Sequence, residues 1–82
     1  MVTVKFFNLI RSRYKVTEVN VKPGTIHSVI EQILTIYPHI PKTELEHAVL
    51  FVNREKVMHL KRFHETVQAG DEIVFTHFVG GG

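Results

Sequence analysis

Cysteine is absent from this chain of 82 residues. The absence excludes a disulfide-stapled scaffold, a thiolate nucleophile and a cysteine-ligated zinc site. Any sulfur chemistry must therefore use sulfur supplied from outside. The chain also lacks an apolar run near the roughly 20 residues needed to span a bilayer. Its first residues lack the basic region and apolar stretch of a signal peptide. We therefore expect a single-domain cytoplasmic protein with no membrane partner.

The chain also has only a small excess of positive charge, since its formal net charge is +2. Arg11, Arg13 and Lys15 cluster where a turn is predicted, and Lys61 and Arg62 form a second small group. Nucleic-acid binding requires a longer basic stripe or interleaved aromatic residues. We expect solvated turns and no nucleic-acid partner, with docking to an acidic protein surface as the alternative.

The 6 histidines do not show the sequence spacings that are typical of metal ligands. His59 and His64 are five residues apart, but no helix is predicted there and no acidic or cysteine partner is suitably spaced. The chain also has no glycine-rich phosphate motif. We expect scattered surface histidines, a solvated side chain at His77, no metal and no bound cofactor.

Alternating, β-rich segments predict the strands of one sheet. The predicted strands are residues 2–7, 16–21, 48–52 and 72–78, with a short edge strand beginning at Val57. The predicted turns and breaks are Pro23-Gly24, Asn53-Arg54 and Gly70-Asp71.

One apolar stripe at helical spacing predicts the main helix. Thr25 is a suitable N-cap, and Pro38 ends the helix because the residue before a proline resists the α conformation. Residues 38–47 are polar and broken, with a short turn expected around residues 43–47. The stripe consists of Ile26, Val29, Ile30, Ile33, Leu34 and Tyr37.

The order of these elements indicates an α+β fold. Two hairpins flank one helix, which packs on one face of a mixed sheet, and this is the ubiquitin-like β-grasp arrangement. A ferredoxin-like order would need a second helix near residues 58–68, where no helical stripe exists. We expect a β-grasp domain over residues 1–78 and a flexible glycine tail over residues 79–82.

Strand parity predicts two different sheet faces. The residues expected to face the helix are Val4, Phe6, Leu50, Val52, Ile73 and Phe75. The residues expected to face away are Phe7, Val49, Phe51 and Val74. An exposed apolar patch of this kind indicates a partner surface, with Phe78 adding bulk near the tail. A register shift of one residue would exchange the faces of a strand.

The tail itself is Gly80-Gly81-Gly82, directly after the last predicted strand. A stretch without Cβ atoms is conformationally free and narrow, so it can enter a slot that side chains would block. The functional interpretation makes the carboxylate of Gly82 the reactive group. The alternatives are a frayed terminus or added glycines.

Residues along nearly the whole chain carry a resemblance to one family. In the front half they are Val4-Lys5-Phe6-Phe7, Leu9, Arg11, Pro23-Gly24-Thr25 and Tyr37-Pro38. In the back half they are Val52-Asn53, Glu55, Val57, Gly70-Asp71-Glu72-Ile73 and Val79-Gly80-Gly81-Gly82. The chain resembles the MoaD/ThiS sulfur carriers, its front half being closer to MoaD and its ending closer to ThiS. It departs from MoaD in having His77-Phe78 in place of a proline pair, and from ThiS in the insertion at residues 38–47.

The resemblance implies a mechanism and partners. An ATP-using, MoeB/ThiF-like enzyme would adenylate Gly82, and a persulfide donor would convert it into a thiocarboxylate. The acceptor would be a MoaE-like large subunit of molybdopterin synthase or, in the thiamine pathway, thiazole synthase. Gly81 would share the reactive end, and the partners would contact Phe7, Phe51, Val74, Phe78, Val79 and Gly80.

Catalysis would belong to those partners, so the chain is expected to be a carrier and not an enzyme. Molybdopterin biosynthesis is the leading pathway and thiamine biosynthesis the alternative. A modifier joined to lysines of other proteins and a plain interaction domain also remain open.

Overall fold

The computed structural model describes residues 1–57 and 64–77. The elements are β1 (Val2–Phe7), α1 (Asn8–Tyr14), β2 (Glu18–Val21), β3 (Gly24–Thr25), α2 (Ile26–Ile36), α3 (Lys42–His47), β4 (Val49–Val52), β5 (Glu55–Lys56), β6 (Thr66–Val67) and β7 (Glu72–His77). A sheet of five strands has the order β2-β1-β7-β4-β5, and β3 pairs with β6 in a second sheet. Strands β1 and β7 are parallel, and the other pairs are antiparallel.

Helix α2 forms as its sequence predicts. The Oγ1 atom of Thr25 accepts a hydrogen bond from the backbone N–H of Ser28 at 3.1 Å, which caps the first turn. The preceding Gly24 has φ of +151°, and a Cβ there would lie only 2.7 Å from the Ser28 hydroxyl. The helix ends at Ile36, before Tyr37-Pro38. Its buried residues are Ile26, Val29, Ile30 and Ile33.

The core lies between this helix and one face of the sheet. Phe6 and Phe75, on the neighbouring strands β1 and β7, stack with ring centroids 6.1 Å apart. Each such buried side chain contributes roughly 1.5–3 kcal/mol. The predicted inner face is confirmed: Val4, Phe6, Leu50, Ile73 and Phe75 are buried, and Val52 is half-buried against the same cluster.

Two short helices replace segments for which turns were predicted. The turn expected around Arg11 and Arg13 is helix α1, and the turn expected at residues 43–47 is part of helix α3. Each helix has one fully buried side chain, Ile10 in α1 and Leu45 in α3. One buried position in each helix gives no periodic pattern, so the sequence pattern could not reveal these helices.

The strand predictions also need four corrections, the smallest being that β4 begins at Val49 instead of residue 48. Strand β2 begins at Glu18 instead of residue 16, and β5 comprises Glu55–Lys56, ending before Val57. The pairing of β3 with β6 was not predicted, because two-residue strands are too short to show alternation. The predictions for His59, Lys61 and Arg62, for Phe78 and for the tail at residues 79–82 lie outside the described residues.

None of the helices within residues 1–57 and 64–77 is long and apolar enough to cross a bilayer.

Candidate functional site

An apolar depression lies on the sheet face opposite α2. Phe7, Phe51 and Val74 line it, and its volume is about 330 Å³. Phe51 pairs with Val74 across β4 and β7, and Phe7 pairs with Thr76 across β1 and β7. Strand register therefore brings together side chains that are far apart in sequence.

The alternation of β1 explains why a large aromatic side chain is exposed here. Val4 and Phe6 point into the core, so Lys5 and Phe7 point away from it. Phe7 is 41% exposed. A salt bridge of 3.0 Å between Lys5 Nζ and Glu72 Oε2 lies on the same face, and Glu72 also lines the depression. The patch is thus apolar with a charged margin.

Three of the predicted partner-binding residues are therefore neighbours in space. The structure places Phe7, Phe51 and Val74 on the face that strand parity assigned to them. Their predicted role as contacts for a partner stays a prediction. The other predicted site residues, Phe78, Val79, Gly80, Gly81 and Gly82, lie outside the described residues.

Beside this depression, the end of β7 is held by the start of α1. The side-chain amide of Asn8 donates a hydrogen bond of 2.7 Å to Thr76 Oγ1, and Thr76 is only 3% exposed. A parallel bridge joins Asn8 to His77. Asn8 has φ of +56°, a left-handed conformation that asparagine tolerates better than most residues. We call Thr76 and His77 the tail root, because the glycine tail follows them in sequence.

Glu44 of α3 holds the tail root from a second direction. Its Oε2 atom lies 2.8 Å from His77 Nε2. Its Oε1 atom accepts hydrogen bonds from the Tyr14 hydroxyl at 2.7 Å and from Arg13 Nη1 at 2.9 Å. One carboxylate thus connects α1, α3 and the end of β7.

These contacts change the acid–base properties of the cluster. The hydrogen bond from Tyr14, assisted by those from His77 and Arg13, holds the pKa of the Glu44 carboxyl below its usual range, although burial opposes this shift. The same hydrogen bond raises the pKa of Tyr14. Glu44 therefore stays ionised and Tyr14 stays protonated near neutral pH.

The prediction of a solvated His77 is wrong. Its side chain is 26% exposed and contacts Glu44. Sequence reasoning also missed Asn8, Tyr14 and Glu44. No local signal could have found them, because their partners lie 30 or more residues away along the chain.

A second, larger depression of about 520 Å³ lies at the other end of β7 and is lined mainly by polar residues. Asn53 and Asp71 contribute to it. Asn53 Nδ2 donates to Asp71 Oδ1 at 3.1 Å, and Asn53 Oδ1 accepts from the backbone N–H of Glu72 at 2.9 Å. Strand β7 is about 17 Å long at 3.3 Å per residue, so this depression is remote from the tail root.

Within the described part of the chain, no group of three or more histidine, cysteine or acidic side chains is arranged to hold a metal ion.

Several solved structures share this fold. CysO of Amycolatopsis orientalis, solved in the BexX/CysO complex, is 24% identical over 100% of both chains, with a TM-score of 0.80. Small archaeal modifier protein 1 from Methanosarcina acetivorans is 20% identical over 99% of this chain and 95% of its own, with a TM-score of 0.79. A chain of the complex of subunits 1 and 2 of molybdopterin-converting factor from Helicobacter pylori is 18% identical over 99% and 97%, with a TM-score of 0.61.

The mixed sheet, helix α2 packed on one of its faces and these structural neighbours define a ubiquitin-like β-grasp protein. The chain belongs to the ThiS family, whose model matches residues 4–82. It is a sulfur carrier of the ThiS/MoaD type or a ubiquitin-like small modifier. No match was found among curated protein sequences.

Proposed function

We propose that the chain carries sulfur as a thiocarboxylate at Gly82 and delivers it in molybdopterin biosynthesis. One observation carries the proposal: in a ThiS-family β-grasp fold, strand β7 lines an apolar depression and is followed two residues later in sequence by Gly80-Gly81-Gly82. The MoaD-like front half of the sequence favours molybdopterin. Delivery to thiazole synthase in the thiamine pathway is the alternative.

The chemistry begins with activation, because a carboxylate is unreactive toward sulfur nucleophiles. A carboxylate oxygen of Gly82 attacks the α-phosphorus of ATP, which forms an acyl-adenylate and releases pyrophosphate. The terminal sulfur of a persulfide on a donor then attacks the acyl carbon, and AMP leaves. A thiol next attacks the donor-side sulfur of the resulting acyl disulfide, which releases the thiocarboxylate and leaves a disulfide on the donor.

Partner enzymes supply the catalytic groups in this scheme. The chain supplies the acyl group at Gly82, with Gly81 giving the narrow approach, and a docking face. Phe7, Phe51 and Val74 suit that face because exposed aromatic and apolar side chains are common anchors of protein interfaces. We propose an adenylating MoeB/ThiF-like enzyme as the first partner and a MoaE-like large subunit as the acceptor, with the transfer occurring in the cytoplasm.

Attachment to other proteins is the second candidate function. The likeness in fold to small archaeal modifier protein 1 favours it. The same activated Gly82 would then be attacked by a lysine amine instead of a persulfide. The first step is common to both functions, and the products differ.

Intact mass spectrometry separates the candidates. The chain is incubated with an activating enzyme, ATP and a persulfide donor, with and without the acceptor enzyme. A sulfur carrier gains the mass of one sulfur-for-oxygen exchange and loses it again to the acceptor, whereas a modifier becomes attached to another protein. A variant lacking Gly81 and Gly82 is the control and should not react. Equal pyrophosphate exchange by this truncated chain would contradict the proposal.

A further inference from the structure

The last two described residues of β7 are each tied to a different element. Thr76, on the outer face of the sheet, is bonded by Asn8 of α1, and His77, on the inner face, contacts Glu44 of α3. Thr76 also lines the apolar depression, so one of these ties adjoins the candidate docking face, and both residues precede the glycine tail in sequence.

We propose that Glu44 is a positioning residue, which acts through His77 to set the direction in which the chain continues from β7 toward Gly82. The inference rests on the proposed function, because the direction matters only if Gly82 is the reacting group. Glu44 lies within residues 38–47, the insertion that distinguishes this chain from shorter ThiS carriers. The proposal therefore gives this insertion a function.

Glu44 is itself held firmly. The neighbouring Leu45 is completely buried and anchors α3 in the core, and the backbone N–H of Glu44 donates to the Pro41 carbonyl at 3.0 Å. Tyr14 and Arg13 occupy Oε1, which leaves Oε2 directed at His77. Since the Glu44 side chain is only 19% exposed, solvent competes weakly for these bonds.

The charges around this contact favour it. Arg13 and Tyr14 face the carboxylate from α1, and His77 faces it from β7. His39 lies behind Tyr14, with its Nε2 atom 2.9 Å from the Tyr14 carbonyl oxygen. All side chains that directly contact the carboxylate donate to it, so the carboxylate has three donors and no competing anion among its described contacts.

His77 is close in sequence to the proposed reacting group, Gly82. Gly82 is five residues beyond His77, so the chain can carry it at most about 17 Å away. Fixing His77 therefore fixes the point from which the conformationally free glycine segment starts, and so limits where Gly82 can be presented. A misplacement of about 1 Å at a reacting group can reduce a rate by a hundredfold.

The test separates docking from positioning by kinetics. Pyrophosphate exchange by the activating enzyme gives a KM for the carrier and a kcat. We expect His77→Leu and Glu44→Ala to lower kcat by about ten- to a hundredfold with an almost unchanged KM. His77→Gln keeps a donor at the same distance along the side chain and should restore kcat to within about threefold of the wild type.

Two controls accompany these variants. His27→Leu removes an exposed histidine of α2 and should leave both constants unchanged. Thermal midpoints of all variants show whether the domain remains folded at the assay temperature. If one of His77→Leu and Glu44→Ala unfolds, the other supplies the impaired variant with which His77→Gln is compared.

The two proposals fail in different ways. If the wild-type chain supports pyrophosphate exchange and folded His77→Leu has the same kcat, only the positioning role is overturned. If His77→Gln is as impaired as His77→Leu while both remain folded, a hydrogen bond to Glu44 is not what His77 contributes, and the inference is again overturned. If the wild-type chain is not activated by any cognate enzyme, the proposed function fails and the inference fails with it.

Discussion

Asn53 and Asp71 belong to the motifs that carry the family resemblance, yet their contacts are structural. Asp71 accepts from the backbone N–H of Gln68 at 2.8 Å and from the Asn53 side chain. These bonds, led by that from Gln68, lower the pKa of Asp71. They connect the turn before β7 to the hairpin after β4, which gives these residue types a structural role there.

Phe51 is the residue that best tests the docking face. We expect Phe51→Ala to weaken binding to the activating enzyme by about 2 kcal/mol, as for other aromatic anchors. The loss of folding stability should be smaller, because Phe51 is half-buried on the outer face. Titration calorimetry and urea unfolding of the same variant measure the two effects.

Phe75→Ala is the matched control, since Phe75 is fully buried in the core. It should cost about 3–5 kcal/mol of folding stability. A comparable loss of stability for Phe51→Ala would show that Phe51 acts as a core residue, and the docking face would have to be withdrawn.

Glu44 should make stability depend on pH. Its folded-state pKa is lowered, so its contribution is fully present above the usual glutamate pKa of about 4.3 and is lost as pH falls through the folded-state value. We expect Glu44→Gln to reduce the free energy of unfolding by about 1–2 kcal/mol near neutral pH. The difference from the wild type should shrink toward pH 3.

Urea unfolding at several pH values measures this difference. Glu31→Gln is the control, because Glu31 forms only exposed pairs with Lys42 and His27, and such pairs contribute little. A difference between wild type and Glu44→Gln that is constant with pH would argue against an ionised Glu44 as the source.

At the scale of elements, the β4–β5 hairpin contains a strained turn. Asn53 and Arg54 have φ of +51° and +72°, as a two-residue type I′ turn requires. Asparagine suits the first position, but a side chain such as that of arginine is unfavourable in the left-handed region. The hairpin adopts this turn although Arg54 stands at the position where glycine is preferred.

Replacing Arg54 with glycine should therefore stabilise the domain. Relief of the left-handed strain outweighs the greater freedom of glycine in the unfolded chain, and we expect a gain of about 0.5–1 kcal/mol for Arg54→Gly. Denaturant midpoints measure it. Arg54→Ala removes the same charge but keeps a Cβ, so an equal gain for this variant would assign the effect to charge instead of backbone conformation.

At the scale of the whole molecule, β7 is the central strand of the five-stranded sheet. Side-chain hydrogen bonds hold it at both ends. Asn53 and Asp71 hold its beginning, and Asn8 and Glu44 hold its end. The apolar depression lies between them on the outer face. A rigid platform of this kind suits a protein whose proposed reaction takes place at the end of its chain.

The absence of side chains in the glycine tail should be essential for its reaction with partner enzymes. Gly81→Phe should block activation or transfer, because the enzyme's channel for the tail must be narrow. Folding stability should change by less than about 0.5 kcal/mol, as for most surface substitutions. Thiocarboxylate formation followed by intact mass, together with the thermal midpoint, measures both effects.

Gly81→Ala adds a single methyl group and should have an intermediate effect on activation. If Gly81→Phe instead unfolds the domain, these glycines are structural and the proposed role of the tail is wrong.

The sequence alone determined the elements whose signals are local. The stripe from Ile26 to Tyr37 has helical spacing over three turns, and Thr25 and Pro38 mark its ends, so α2 was predictable. Strand parity within β1, β4 and β7 likewise divided their residues into two faces, although the apolar run Val49–Val52 does not by itself show which of its faces is inward. Phe7, Phe51 and Val74 could therefore be assigned to a common face before the structure was known.

Only the tertiary structure decided the rest, because the deciding contacts join distant parts of the chain. Helices α1 and α3 each rest on one buried residue, Ile10 and Leu45, which is too little for a periodic signal. The contact between Glu44 and His77 spans 33 residues and exists because α3 and the end of β7 meet at one edge of the sheet. Side-chain identity determined what each residue could do, and packing determined which residues met.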